Sequence, residues 1–213
     1  MPVYFKKNID KDSVLALWRI TERVDELLAW QNLRPLEREL YNSFRTDTRR
    51  RHWLSYRALL KNLLHPEDIP VEYNENGKPY LAGSHLHISV THTADYSGVI
   101  ISGKAVGIDM EMVRPRIERV ADKFLSPEEM QMINEEHKLD LMTRAWCAKE
   151  ALYKLFNRKE MDFRKNLRTD LSGGTEAQSF DAEITLGNFH KHFRMVREMI
   201  GDIMLVYTMD DGL

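Results

Sequence analysis

Hydrophobic and polar positions change their spacing several times along this chain, and the changes mark out its elements. VYF and SVLALWRI, near the start, predict two short strands. ERVDELLAW and LERELYNSF read with helical spacing, and Pro35 stands near the start of the second. A longer helix follows in RRRHWLSYRALLKNLL, where Trp53, Leu54, Leu59, Leu60, Leu63 and Leu64 recur at helical intervals; His65-Pro66 ends it. The texture then turns to strands. VEYNENGKPYL carries a turn, Asn76-Gly77-Lys78-Pro79, between apolar residues and predicts a hairpin. HLHISVTHT, SGVIIS and AVGIDME are strand-like.

Beyond a connection at Pro115, LSPEEMQMINEE opens a helix with Ser126 as N-cap, Pro127 at the first position and Glu129 at the third. LMTRAWCAKEALYKLF is the next helix. Phe180, Ala182, Ile184 and Leu186 of SFDAEITL alternate with polar residues, as in a half-buried strand. KHFRMVRE and DIMLVYTM are two further strands, and LSGGTEAQ is a loop. A long helix followed by strands thus occurs twice, around 48–111 and around 138–208. Strands joined by short turns pair antiparallel, so the expected class is α+β.

Composition narrows the setting. Of 213 residues, 43% are hydrophobic and 30% charged, the balance of a folded soluble chain. A formal net charge of -2 argues against coating nucleic acid but leaves room for a local basic pocket. The single cysteine, Cys147, excludes an intrachain disulfide and suits a reducing compartment. The start has no charged-then-apolar signal pattern, and no apolar run approaches the ~20 residues needed to span a bilayer. A cytoplasmic protein with no membrane partner is expected.

Five stretches could carry chemistry, and each has a plain structural account beside the functional one. In GIDME, Asp109 and Glu111 are two apart, so a strand points both carboxylates to one face. They are either a solvated pair on an edge strand or ligands of a divalent cation, which offsets their repulsion. Oxygen-only ligands favour magnesium, manganese or calcium over zinc. On the helix, Trp146, Glu150 and Lys154 follow one another at i,i+4 steps beside an apolar arc of Ala145, Ala148, Leu152, Leu155 and Phe156. Glu150 with Lys154 is an ordinary helical ion pair or part of a site, and Lys149, about 100° away, can reach a different partner. Lys78 is a solvated turn residue or a cation held rigidly toward a phosphate. His92, with Thr91 and Thr93 around it, is structural or a phosphate contact at a strand end. Arg49, Arg50 and Arg51 open a helix, where the dipole favours acids, so they are a solvated helix end or part of an anion site.

Taken in order, NGKP, ISVTHT, GIDME, FLSPEE and WCAKEALYK resemble the 4′-phosphopantetheinyl transferase superfamily. Its signature is G-[IV]-D-x-E followed some forty residues later by W-x-x-K-E-[AS]-x-x-K, and Trp146, Lys149, Glu150, Ala151 and Lys154 match the second motif at every fixed position. The length resembles the double-length, surfactin-synthetase-activating type. That type is a monomeric pseudo-dimer of two α+β halves, each a long helix on a small, mostly antiparallel sheet, with the site in the cleft between them. The halves expected here are 1–105 and 106–213.

The resemblance implies transfer of the phosphopantetheine arm of coenzyme A to a serine of an acyl or peptidyl carrier protein, releasing adenosine 3′,5′-bisphosphate. It assigns Asp109, Glu111 and Glu150 to magnesium, with manganese as a possible substitute. Catalysis falls to Glu150, Lys154 and Asp109: Glu150 takes the serine proton, directly or through a water, and Lys154 neutralises the leaving phosphate. Coenzyme A contacts are assigned to Arg45, Arg51, Lys78, Thr91, His92, Lys149 and Lys154. Thr91 stands where the family often has Ser. Glu129 occupies the place of a further family acid, although its capping box is an equal account. A binder that has lost catalysis and a magnesium-dependent phosphohydrolase are the competing readings. The carrier docks on a basic or apolar face, for which LFNRKEMDFRK is a candidate.

Overall fold

The computed structural model describes residues 3–64, 70–158, 160–210 and Gly212. The expected helix stop at His65-Pro66 lies outside them. The chain opens with a hairpin, β1 (Val3–Asp10) and β2 (Ser13–Arg19), then three helices, α1 (Val24–Ala29), α2 (Pro35–Ser43) and α3 (Asp47–Leu64). A short hairpin, β3 (Val71–Tyr73) and β4 (Pro79–Leu81), leads into β5 (His87–Thr93), β6 (Tyr96–Ser102) and β7 (Ala105–Met112). After a 3-10 turn at Pro115–Val120 come α4 (Ala121–Phe124), α5 (Pro127–Met132), α6 (Lys138–Phe156) and α7 (Phe163–Asn166). Four strands finish the chain: β8 (Leu167–Thr169), β9 (Ser179–Leu186), β10 (Phe189–Ile200) and β11 (Ile203–Asp210).

Pairing gives a four-stranded sheet, β1-β2-β6-β5, a five-stranded sheet, β7-β11-β10-β9-β8, and the small β3-β4 ribbon, all antiparallel among the described residues. The class is therefore α+β. In each larger sheet an early strand pairs with the last one, which pairs with the one before it: β2 with β6 and β5, β7 with β11 and β10.

The period-2 alternation of β2 and β7 makes a layered arrangement of helix, sheet, sheet and helix. Ala16 and Trp18 of β2 face Trp53, Leu54 and Leu59 of α3. Leu15 and Leu17, on the opposite face, pack with Val106, Ile108 and Met110 of β7 and Leu205 of β11, joining the two sheets. The far face of the second sheet receives α6 through Ala148, Ala151, Leu152 and Leu155. Small residues allow this approach: a Cβ on Gly107 would lie 1.9 Å from the Ala151 carbonyl oxygen, so only glycine fits there.

Some elements differ from the sequence expectation. The α5 helix stops at Met132, short of the anticipated Asn134-Glu135-Glu136, because the strongest local helix signal was the capping box at its start. The segment after Pro115, expected as a connection, is wound into a 3-10 turn and α4. The second half also begins on a strand, β7, so its order is strand, helices, strands.

Candidate active site

The two sheets meet at β5 and β7, which are edge strands joined by side chains. Alternation turns Ser89, Thr91 and Thr93 of β5 toward β7. The Ile108 N–H donates to Ser89 Oγ (3.2 Å) and the Met110 N–H to Thr91 Oγ1 (3.1 Å). The same hydroxyl of Thr91 donates to Asp109 Oδ1 (3.0 Å), and Thr93 Oγ1 donates to Glu111 Oε2 (3.1 Å). Each carboxylate of GIDME is thus oriented by a threonine from the other sheet.

At this seam lies a cleft of about 360 Å³, lined on one side by Asp109, Glu111, Trp146, Glu150 and Lys154, and on the other by Arg49, His52 and His92. Ligand sites of small molecules span roughly 300–1,000 Å³. Asp109 is 6% exposed. The Lys154 ammonium donates to Asp109 Oδ1 (2.6 Å) and to the Ile108 carbonyl (3.1 Å), while Asp109 Oδ2 is buried without a partner. Glu111 Oε2 also accepts from Arg116 (2.9 Å).

Crowded carboxylates raise one another's proton affinity. Burial and the Asp109 charge push Glu111 above the usual carboxylate range. Burial, then Asp109, push Glu150 up to about 7, with Glu111 adding to the effect and Lys154 opposing it. A proton acceptor poised near neutrality suits general base chemistry. Oxygen-only donors, mutual repulsion and a partnerless buried carboxylate oxygen also fit a hard divalent cation. The three carboxylates line one cleft, but their ligand atoms are not gathered within 4.8 Å of one another.

On the opposite wall the rings of His92 and His52 stack at 4.3 Å, 9° from parallel, and His52 Nε2 hydrogen-bonds the Ala94 carbonyl (2.8 Å). Desolvation, then the nearby His52, Lys154 and Arg49, push His92 down to about 4. It is a neutral hydrogen-bonding group within a cationic surround.

Comparison with known proteins gives the cleft its relatives. Residues 105–197 match the 4′-phosphopantetheinyl transferase superfamily. The chain is 32% identical over 114 residues to the 4′-phosphopantetheinyl transferase AcpT of Escherichia coli K12, covering 50% of this chain and 57% of that one. It is 30% identical over 95 residues to the 4′-phosphopantetheinyl transferase of Bacillus subtilis, 43% of this chain and 42% of that one. With the 4′-phosphopantetheinyl transferase psf-1 of Bacillus pumilus it shares 28% over 139 residues, 61% and 57%. The chain spans just over half the length of the AcpT relatives it matches.

Of the residues assigned by resemblance to this superfamily, the structure brings Asp109, Glu111, Glu150, Lys154, Thr91 and His92 to the cleft. It sends others elsewhere. Lys149, assigned to coenzyme A, is 0% exposed and points to the other side of α6. There its ammonium donates to Glu129 Oε2 (2.6 Å) and to the carbonyls of Phe124 (2.6 Å) and Phe163 (3.0 Å). The ~100° step between neighbouring helix residues separates it from Glu150. Glu129 is 1% exposed and caps α5 through the Ser126 N–H; its other oxygen accepts from the backbone and hydroxyl of Thr169. It is a buried cap and the partner of Lys149, outside the cleft.

Arg45 is exposed between α2 and α3 and does not line the cleft. Arg51 turns from it to the Ile20 carbonyl (2.9 Å) and Asp95 (3.5 Å). Lys78 sits behind the wall formed by Gly77 and Pro79, donating to the Leu155 carbonyl (3.1 Å) at the C-terminal end of α6; burial lowers it to about 8. The negative end of the helix dipole favours a cation there. Beside it, Asn76 Nδ2 donates to the carbonyl of Asn157, the left-handed cap of α6.

Arg49, part of the arginine run expected as a helix end or anion site, and His52 line the cleft, while Arg45 and Arg51, the arginines the resemblance assigns to coenzyme A, do not. Arg49, His52 and Tyr56 stand at i, i+3, i+7, a helical face legible in the sequence but overshadowed by the leucine face of α3. Cys147 is buried, and burial pushes its thiol well above the usual range, as expected of a packing residue. Trp146 meets Phe124 edge to face at 5.1 Å and Phe163 at 5.8 Å, fixing the helix beside the cleft. No helix among the described residues is long and apolar enough to cross a membrane.

Proposed function

We propose that this protein transfers the 4′-phosphopantetheine arm of coenzyme A to a serine hydroxyl of an acyl or peptidyl carrier protein. The observation that carries the reading is the meeting of GIDME and WCAKEALYK in one cleft opposite Arg49, His52 and His92. The matched family and relatives named 4′-phosphopantetheinyl transferase support it.

In this reading Asp109, Glu111 and Glu150 would hold magnesium, or manganese in its place, and the ion would neutralise pyrophosphate charge. Thr91 and Thr93 hold Asp109 and Glu111 in place. Glu150 accepts the serine proton as the hydroxyl oxygen bonds to the phosphorus of the pantetheine arm. The bond from that phosphorus to the bridging oxygen breaks, and adenosine 3′,5′-bisphosphate leaves. Lys154 neutralises the charge that grows on this oxygen; positioning and neutralisation carry most of phosphoryl-transfer catalysis. Arg49 and His92 contact the phosphates and the adenosine end.

The chain acts as a monomer of two related halves, 1–105 and 106–213, of the double-length surfactin-synthetase-activating type, in the cytoplasm. The repeated strand order, β2-β6-β5 and β7-β11-β10, supports a duplication.

Incubation with apo-carrier protein, coenzyme A and magnesium, read by mass spectrometry, tests the activity. Transfer adds about 340 Da to the carrier, the mass of the arm. Binding of coenzyme A without any mass gain on several apo-carriers would make the protein a binder. Phosphate release without carrier would make it a hydrolase.

A further inference from the structure

The face of the second sheet opposite α6 packs on the first sheet around β7 and β11 but is exposed along β9 and the start of β10, where it gathers Glu183, His190 and His192. Phe180, Ala182 and Ile184 of β9 and Phe193 and Met195 of β10 point inward to α6, so alternation sends these three side chains to the opposite face. His190 and His192 are two apart on β10, and Glu183 is the register partner of His192 on β9. Near the hairpin turn at Gly187 this face is open: side-chain exposure is 51% for His190, 71% for His192 and 25% for Glu183.

The distances fit an ion. His190 Nε2 lies 3.0 Å and His192 Nδ1 3.7 Å from Glu183 Oε2, and one ligand atom from each of the three residues falls within 4.8 Å of the others. A tetrahedral ion holding nitrogen and oxygen ligands at roughly 2.0–2.1 Å spaces them about 3.3 Å apart. The two histidine–glutamate separations straddle that value, so rotation of exposed side chains suffices. Arg168, opposite Glu183 on β8, bonds Glu128 at 3.0 Å. Lys191 points inward to Asp210.

We propose that Glu183, His190 and His192 form a surface site for a borderline divalent transition ion such as zinc, with the fourth position open to solvent. Two imidazoles and one carboxylate select zinc, nickel, cobalt or copper over magnesium, the reverse of the preference of the cleft carboxylates. The bound ion ties β9 to β10. The site is independent of the transferase reading.

Calorimetry of the full chain with zinc chloride in excess magnesium tests it, with cobalt absorption as a second readout. Wild type is expected to bind one equivalent at micromolar Kd and give intense tetrahedral cobalt bands. His190→Ala/His192→Ala weakens zinc by at least about 100-fold and abolishes the bands, and Glu183→Gln weakens it about 10-fold or more. Asp109→Asn leaves both signals unchanged. Equal binding by wild type and the double histidine variant, loss of the signal in Asp109→Asn, or no wild-type binding below millimolar zinc would overturn the site.

Discussion

Two acid–base pairs share α6 and have opposite fates. Lys149 meets Glu129 on the buried side, where each group is bonded by further partners: two carbonyls for the lysine, and the Ser126 and Thr169 donors for the glutamate. Glu150 and Lys154 meet Asp109 and Glu111 on the open side, where one carboxylate oxygen has no partner and burial with like charge raises Glu150 to about 7. Neighbouring residues of one motif thus divide the labour. The satisfied pair fixes the helix, and the carboxylates of the cleft are left with like charge and an unpartnered oxygen. Native structures concentrate such local conflict at functional sites and offset it elsewhere.

The comparison breaks most visibly at Glu150. Glu150→Gln should reduce transfer to an apo-carrier by about 10³-fold or more, while coenzyme A binding changes only a few-fold. A variant with wild-type kcat/KM would remove the assigned role. Lys149→Met attacks the satisfied side and leaves Glu129 buried without its cation. The expected loss is about 3–5 kcal/mol in denaturant unfolding, and adding Glu129→Gln should cost less than the two single changes summed. A loss under about 1 kcal/mol would mean that the pair is not what holds α6.

Gly107→Ala tests the platform common to both sides. Its Cβ meets backbone, so β7 and α6 must separate, at a cost of about 1–3 kcal/mol or more. The last effect, which is zero at low pH, is the sharpest in sign. The Glu150 carboxyl in the fold titrates near 7, above its ordinary value of 4.5. The stability from its protonated form is therefore full below about pH 4.5 and lost as pH rises through 7. In the ligand-free protein without divalent ions, Glu150→Gln should gain on wild type across that window, by up to about 3 kcal/mol at pH 8. A Tm difference that does not vary with pH would count against the raised carboxyl.

Much of this division was legible in the sequence, and the parts that were not have a common cause. Glu150 and Lys154 fall on one helix stripe by spacing alone, and Asp109 and Glu111 share a strand face by alternation. Spacing also put Lys149 on another face, but its partner lies 20 residues upstream, beyond any local rule. The resemblance assigns Thr91 to a ligand because nothing local says that β5 meets β7 through side chains. The arginines went astray for a similar reason: the run 49–51 marks a basic helix end, while α3 packing against β2 decides that Arg49 faces the cleft and Arg51 the Ile20 carbonyl.

The hydroxyl row of Ser89, Thr91 and Thr93 has a further consequence for solubility. An open strand edge is a template for pairing with another molecule and for aggregation. Here two such edges abut, and Ser89 and Thr91 occupy backbone N–H groups of β7 that a foreign strand would otherwise capture. Thr91 does both at once: one hydroxyl aims a carboxylate of the cleft and fills a strand-edge N–H that another copy of the chain would need for pairing.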